Sequence, residues 1–176
     1  WDWLPALGFR RDTTPSPETL AASAALGAGL CALTGITCIG DSTWSGASAQ
    51  AMARIGLRGI AYREFFGQSF GQDYAAKLDT LLHGVLDMRA SLPSSVGVGV
   101  SPHSIYSSTP EVLEITAKTC AELAIRVALH LAETAAEASY SLNGSGPLGQ
   151  MRRDMGYEPV PSGLRPVRLV EQCGLL

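Results

Sequence analysis

A chain of 176 residues has the length of one domain with a sizeable core, and 46% hydrophobic against 16% charged residues excludes intrinsic disorder. Thirteen basic against 16 acidic residues leave a net charge of −3, and no basic stripe is dense enough to neutralise a phosphate backbone, which speaks against nucleic acid as a partner. The Ala-rich run from Leu20 to Leu33 is broken by Ser23, Gly27 and Gly29 and lacks a basic leader, so neither a signal peptide nor a membrane span is expected there.

Ser16-Pro17-Glu18 is a helix start, with Ser as N-cap, Pro at the first helical position and an acid in the first turn. The helix is expected to run to about Leu33, where Gly35 stops it. Ile36 to Asp41 follows as an apolar, β-branched segment of the kind buried on both faces, with Asp41 at its carboxyl end. Ala47 to Ile55 reads as a short helix closed by Gly56, and Arg58 to Glu64 as a second strand. Tyr74, Leu78, Leu81, Leu82 and Val85 form the stripe of an amphipathic helix. Val96 to Ser101 is the third strand. Ser108-Thr109-Pro110-Glu111 opens a helix that carries Leu113, Ala117, Cys120 and Ala124 at helical spacing. Arg126 to Leu131 is the fourth strand, followed by a Gly/Ser loop at Asn143 to Pro147 and further helical pieces. Strict alternation of helices with apolar strands predicts a parallel α/β architecture, as an open sheet or a barrel.

Cys31, Cys38, Cys120 and Cys173 are few and lie in apolar segments, so they read as buried thiols in a reducing cytoplasm. Gly27-Ala28-Gly29-Leu30-Cys31-Ala32 matches a loose dinucleotide pattern but falls inside the first helix, where that pattern has no use. No phosphate-binding loop, nucleophile elbow or C-x-x-C pair is present.

In parallel α/β folds, ligands sit at the carboxyl ends of the strands. Asp41, Glu64, His103 and the His130/Glu133 pair occupy that edge. Each also has a plain structural reading. A strand-end His is often only hydrogen-bonded, Asp41 would cap the next loop or helix, and Glu64 would orient a neighbour or pair with Arg63. Trp44 and Tyr106 are either aromatic walls for a planar ring or simple packing. His83, mid-helix among charged residues, reads as solvated.

Leu129-His130-Leu131-Ala132-Glu133-Thr134, preceded by Ser101-Pro102-His103-Ser104, resembles the amidohydrolase superfamily, and within it the aromatic-ring deaminases and chlorohydrolases. Leu33 to Asp41 is similar to that family's second barrel strand, and Gly144-Ser145-Gly146-Pro147-Leu148 to the segment after its His strand. The resemblance implies a (β/α)8 barrel, of which residues 1–176 would be the central part, about four βα units holding strands two to five. It implies hydrolytic deamination of an aminated purine-like ring, with a chlorohydrolase or a non-catalytic, partner-dependent α/β module as alternatives. It makes His130 a ligand of one divalent metal, zinc or else iron, Glu133 the proton shuttle and His103 a substrate contact, with Glu64, Asp41 and Trp44 near the site mouth.

The family's His-X-His pair and its later His and Asp ligands do not occur here, and one imidazole does not make a catalytic zinc site. With Trp1 in place of an initiator Met and Gly174-Leu175-Leu176 at the other end, both ends read as cut. The expectation is therefore a fragment that is inactive by itself, with the activity belonging to a longer parent. Trp1-Asp2-Trp3-Leu4-Pro5 and the Trp44 loop favour an aminated purine such as aminodeoxyfutalosine as substrate. Self-association is left open.

Overall fold

A computed structural model describes residues 15–176; the Trp1 to Pro5 segment lies outside them. Helix α1 (Pro17–Leu33) starts where the sequence places it, with Ser16 Oγ accepting from the Thr19 amide at 3.2 Å. Alanine on all sides gives it no apolar stripe. Only Ala28 is buried, while Leu26, Leu30 and Leu33 stay exposed. The dinucleotide-like glycines lie within this helix.

Strand β1 (Cys38–Thr43) begins two residues later than expected and is not buried on both faces; its residues alternate between exposed and half-buried. Among the described residues it pairs only with β2 and so forms the sheet edge. Ile39, Asp41 and Thr43 turn toward α1 and α2 (Ala47–Ile55), whereas Cys38, Gly40 and Ser42 are exposed. Cys38 is therefore not the buried thiol its neighbours suggest, and Cys31 is only half-buried. Cys120 and Cys173 are buried, and all four thiols are free.

Strands β2 (Arg58–Glu64) and β3 (Val96–Ser101) have the bounds read from sequence. The sheet is parallel, in the order β1-β2-β3, with Asp41 beside Ala61 and Glu64 beside Ser101. A 3-10 segment (Gly67–Asp73) leads into α3 (Tyr74–Ala90), whose Leu78, Leu82 and Val85 pack with Met52, Ala61, Val98 and Val100 in the main core. Burial of each large side chain there contributes about 1.5–3 kcal/mol. Helix α4 (Pro110–Glu122) stops short of Ala124, which is left-handed (φ 51) rather than helical.

The expected fourth strand is reduced to two parallel bridges, Val100 to Val127 and Ser104 to His130. Pro102 is the cause. Val100 donates to Arg126 O and accepts from Ala128 N, both at 3.0 Å, but the next donor in the ladder would be Pro102, which has no N–H. Pairing resumes one residue later, where His130 N donates to His103 O at 2.8 Å. Beyond it come α5 (Ala135–Asn143), α6 (Gly146–Asp154) and α7 (Pro166–Gln172). Leu169, Val170 and Cys173 pack with Leu113 and Ile105, and Leu148 packs with Tyr106 and Tyr140. No helix among the described residues is long and apolar enough to cross a membrane.

Candidate functional site at the strand carboxyl ends

The exits of two strands and one isolated bridge converge on one cluster. Glu64 closes β2, His103 lies two residues past β3, and His130 sits at the second bridge. One ligand atom from each of the three side chains lies within 4.8 Å of the others. The His130 Nε2 atom is 3.6 Å from Glu64 Oε1, and its Nδ1 is 3.9 Å from Glu133 Oε1. The imidazole thus stands between two carboxylates.

His103 is held by the turn that carries it. Its Nδ1 shares hydrogen bonds with Ser107 Oγ at 2.7 Å and Ser104 Oγ at 2.9 Å, which leaves Nε2 to meet a ligand. Both serines are buried. Ser108 Oγ donates to Pro102 O at 2.9 Å and accepts from Gly67 N at 3.2 Å, so the turn is fastened to the chain leaving β2. Gln68 N donates to Ser107 O at 3.0 Å, and buried Arg152 donates to the Gln68 side chain. Burial pushes the His103 pKa down; the Glu64 charge opposes that shift, His130 adds to it and Glu133 opposes it. A neutral imidazole follows near pH 7.

Aromatic rings line the same edge. Phe66 lies 4.5 Å from the His103 ring centroid, and Trp44 meets Phe66 edge-on at 5.6 Å. Trp44 also donates from Nε1 to Glu64 Oε2 at 2.7 Å, and Arg63 Nε donates to Trp44 O at 3.1 Å. Arg63 therefore serves the Trp44 backbone, and Glu64 the Trp44 indole. Tyr106, edge-on to His103 at 5.6 Å, donates to Glu133 Oε2 at 3.1 Å.

Asp41 is placed elsewhere. It lines a cavity of about 320 Å³ beneath α1, together with Leu20, Ala24, Ile39 and Met52. His83 is exposed, 3.3 Å from Asp79 one helical turn away. Sequence reasoning missed Phe66, Ser104, Ser107 and the fully buried Glu137. Only Glu137 had a readable signal, the Thr-x-x-Glu pattern of Thr134 to Glu137.

Two imidazoles and a carboxylate form a donor set suited to a divalent cation such as zinc. Ser107 Oγ on its Nδ1 gives His103 the outer hydrogen bond that orients an imidazole toward a ligand. The sequence reading allotted the metal one ligand, His130; the fold brings two further donor groups within its reach.

A parallel sheet packed against helices, with a His/Glu cluster on its carboxyl edge that could hold a metal ion, defines an α/β protein with a candidate metal site, and the comparisons with known proteins bear on what that site is. No family model matches. The chain is 30% identical over 149 residues to 5-methylthioadenosine/S-adenosylhomocysteine deaminase of Desulfovibrio desulfuricans, covering 82% of this chain and 33% of the relative. The deaminase of the same description from Symbiobacterium thermophilum is 24% identical over 160 residues, 90% of this chain and 34% of the relative. The chain spans about a third of the length of the curated relatives it matches.

Among solved structures, zinc-bound adenosine deaminase from Xanthomonas campestris superposes with a TM-score of 0.72 at 18% identity, over 98% of this chain and 36% of the other. Zinc-bound atrazine chlorohydrolase from Arthrobacter aurescens TC1 gives 0.69 at 20%, over 98% and 40%. Aminofutalosine deaminase from Helicobacter pylori gives 0.73 at 13%, over 87% and 38%. These likenesses establish the shared fold. Together with the sequence matches, they identify the chain as a relative of the amidohydrolase-superfamily deaminases.

Proposed function

We propose that this chain is the central part of a metal-dependent deaminase barrel, strands two to five of a (β/α)8 fold, and that the complete protein hydrolyses the exocyclic amine of an aminated purine nucleoside. The observation that carries this reading is the His130 imidazole set between Glu64 and Glu133 with His103 beside it. The deaminases matched at 30% identity support deamination over dechlorination. A cytoplasmic location goes with the four free thiols.

His130 would hold the metal with Glu64 in reach of the same position, while His103, the third group of the cluster, would be kept for the substrate. A divalent metal such as zinc held there would supply a Lewis acid that lowers the pKa of water toward ~7. Glu133 takes a proton from the attacking water at Oε1 and returns it to a ring nitrogen or to the departing ammonia, while the ring carbon exchanges its amino group for oxygen. His103 meets the substrate through Nε2. Phe66 and Trp44 offer apolar faces to a planar ring.

The test is ammonia release from aminated purine nucleosides by the protein that carries this chain, with zinc content measured alongside. Glu133→Gln is expected to lower turnover by about 10²- to 10⁴-fold while zinc stays bound. His130→Ala should lose zinc, and His103→Ala should raise KM with zinc retained. Full turnover in Glu133→Gln, or zinc binding undiminished in His130→Ala, would overturn the assignment.

A further inference from the structure

Glu133 is approached from two sides by residues that the proposed chemistry does not use. On the backbone side lies Glu137, a fully buried carboxylate. Its Oε1 accepts from Ala132 N at 3.0 Å and its Oε2 from Glu133 N at 2.5 Å. Thr134 is the N-cap of α5, with its Oγ1 accepting from Glu137 N at 3.2 Å. In an ordinary capping box the acid at the third helical position returns to the N-cap amide. Here it passes Thr134 and takes the two amides before it. Those amides flank a strained point, because Ala132 is left-handed (φ 56) without being glycine. A helix start alone requires neither the reach nor the strain.

On the side-chain side lies Tyr106, whose hydroxyl donates to Glu133 Oε2. Tyr106 is 7% exposed, and burial together with the Glu133 charge pushes its pKa up to about 12, so it keeps its proton and stays a donor. The bond occupies Oε2 and leaves Oε1, the oxygen nearer His130, for proton transfer. The Glu133 side chain is 40% exposed. Without a partner it would turn among rotamers in solvent, and a general base must stay within hydrogen-bond reach of the proton it takes.

We propose that Tyr106 and Glu137 are positioning residues for Glu133, Glu137 fixing its backbone through the Ala132 and Glu133 amides and Tyr106 fixing its carboxylate so that Oε1 faces His130. The inference rests on reading Glu133 as the proton carrier.

Two measurements test it. In this chain, NMR should show the Glu133 side-chain carboxyl carbon shifted by Tyr106→Phe, and the Ala132 and Glu133 amide protons moved upfield by Glu137→Gln, which keeps one acceptor oxygen. Resonances unmoved by both variants overturn the proposal. In the protein that carries this chain, Tyr106→Phe and Glu137→Gln should each lower kcat about 10- to 100-fold with KM nearly unchanged, the size of effect seen for outer-shell partners. In a Glu133→Gln background neither should lower kcat further. A purely structural role would reduce Tm and leave kcat of the folded protein at the wild-type value, which overturns the proposal; so does an undiminished loss in the Glu133→Gln background. Full turnover of Glu133→Gln alone would remove the proton-carrier reading instead, and the NMR shifts would then decide by themselves whether the pair holds Glu133.

Discussion

Trp44 Nε1 donates to Glu64 Oε2 at 2.7 Å, which ties the first residue after β1 to the last residue of β2. The bond turns one carboxylate oxygen toward the indole while the other stays 3.6 Å from His130. Trp44→Phe keeps an aromatic ring and removes the donor. Because Trp44 is half exposed, the loss in stability should be no more than about 1 kcal/mol, read from the urea midpoint. A larger fall would show that the indole packs more than it bonds.

Gly99 is where the sheet meets the segment leading to His130. A Cβ at this position would lie 2.4 Å from Arg126 O and 2.8 Å from the Tyr62 ring. Gly99→Ala should cost roughly 1–3 kcal/mol or more and free the Val100 amide to exchange with solvent. Gly97→Ala is the comparison, since the nearest atom to its Cβ is Ile60 Cγ1 at 3.3 Å, followed by Gly59 O and Ile60 Cγ2 at 3.8 Å. Equal effects from the two variants would contradict the close approach at Gly99.

That crossing also explains which elements were legible in the sequence. β2 and β3 could be bounded because each is a short run fenced by Gly, Pro or a charge, and α3 because its stripe keeps helical period. The fourth strand could not be read correctly: its own residues suit a strand, and the interruption comes from Pro102 on its neighbour. The edge position of β1 is not legible in the sequence, because an apolar run carries no mark of lying at an edge. His103, His130, Glu64 and Glu133 were visible as strand-end polar residues. Phe66, Ser104 and Ser107 were not, since their roles arise from contacts made only when the β2 and β3 exits close on each other.

Thr134 and Thr109 occupy the same position at two helix starts, yet only Thr134 makes a side-chain cap bond. Thr134→Ala should destabilise by about 1 kcal/mol and Thr109→Ala by a few tenths at most, measured by chemical denaturation. Equal losses would remove the cap bond as the source of the difference.

The thiols should separate by accessibility. Cys38 is exposed on β1, whereas burial pushes Cys120 and Cys173 up to about 11. Ellman's reagent followed by peptide mapping should find Cys38 modified first, Cys31 later, and Cys120 and Cys173 only after unfolding. Modification of Cys120 at the rate of Cys38 would contradict the burial of α4 against the sheet.

His103 and Ala132 both hold a left-handed backbone that glycine or asparagine would adopt at less cost. Each such residue stores on the order of 1–3 kcal/mol. Heat tolerance and chemistry therefore pull in opposite directions at these positions. A library screened only for survival at high temperature would drift toward glycine or asparagine at 103 and 132, giving sturdier proteins that had discarded the candidate site's histidine and loosened the aim proposed for Glu133.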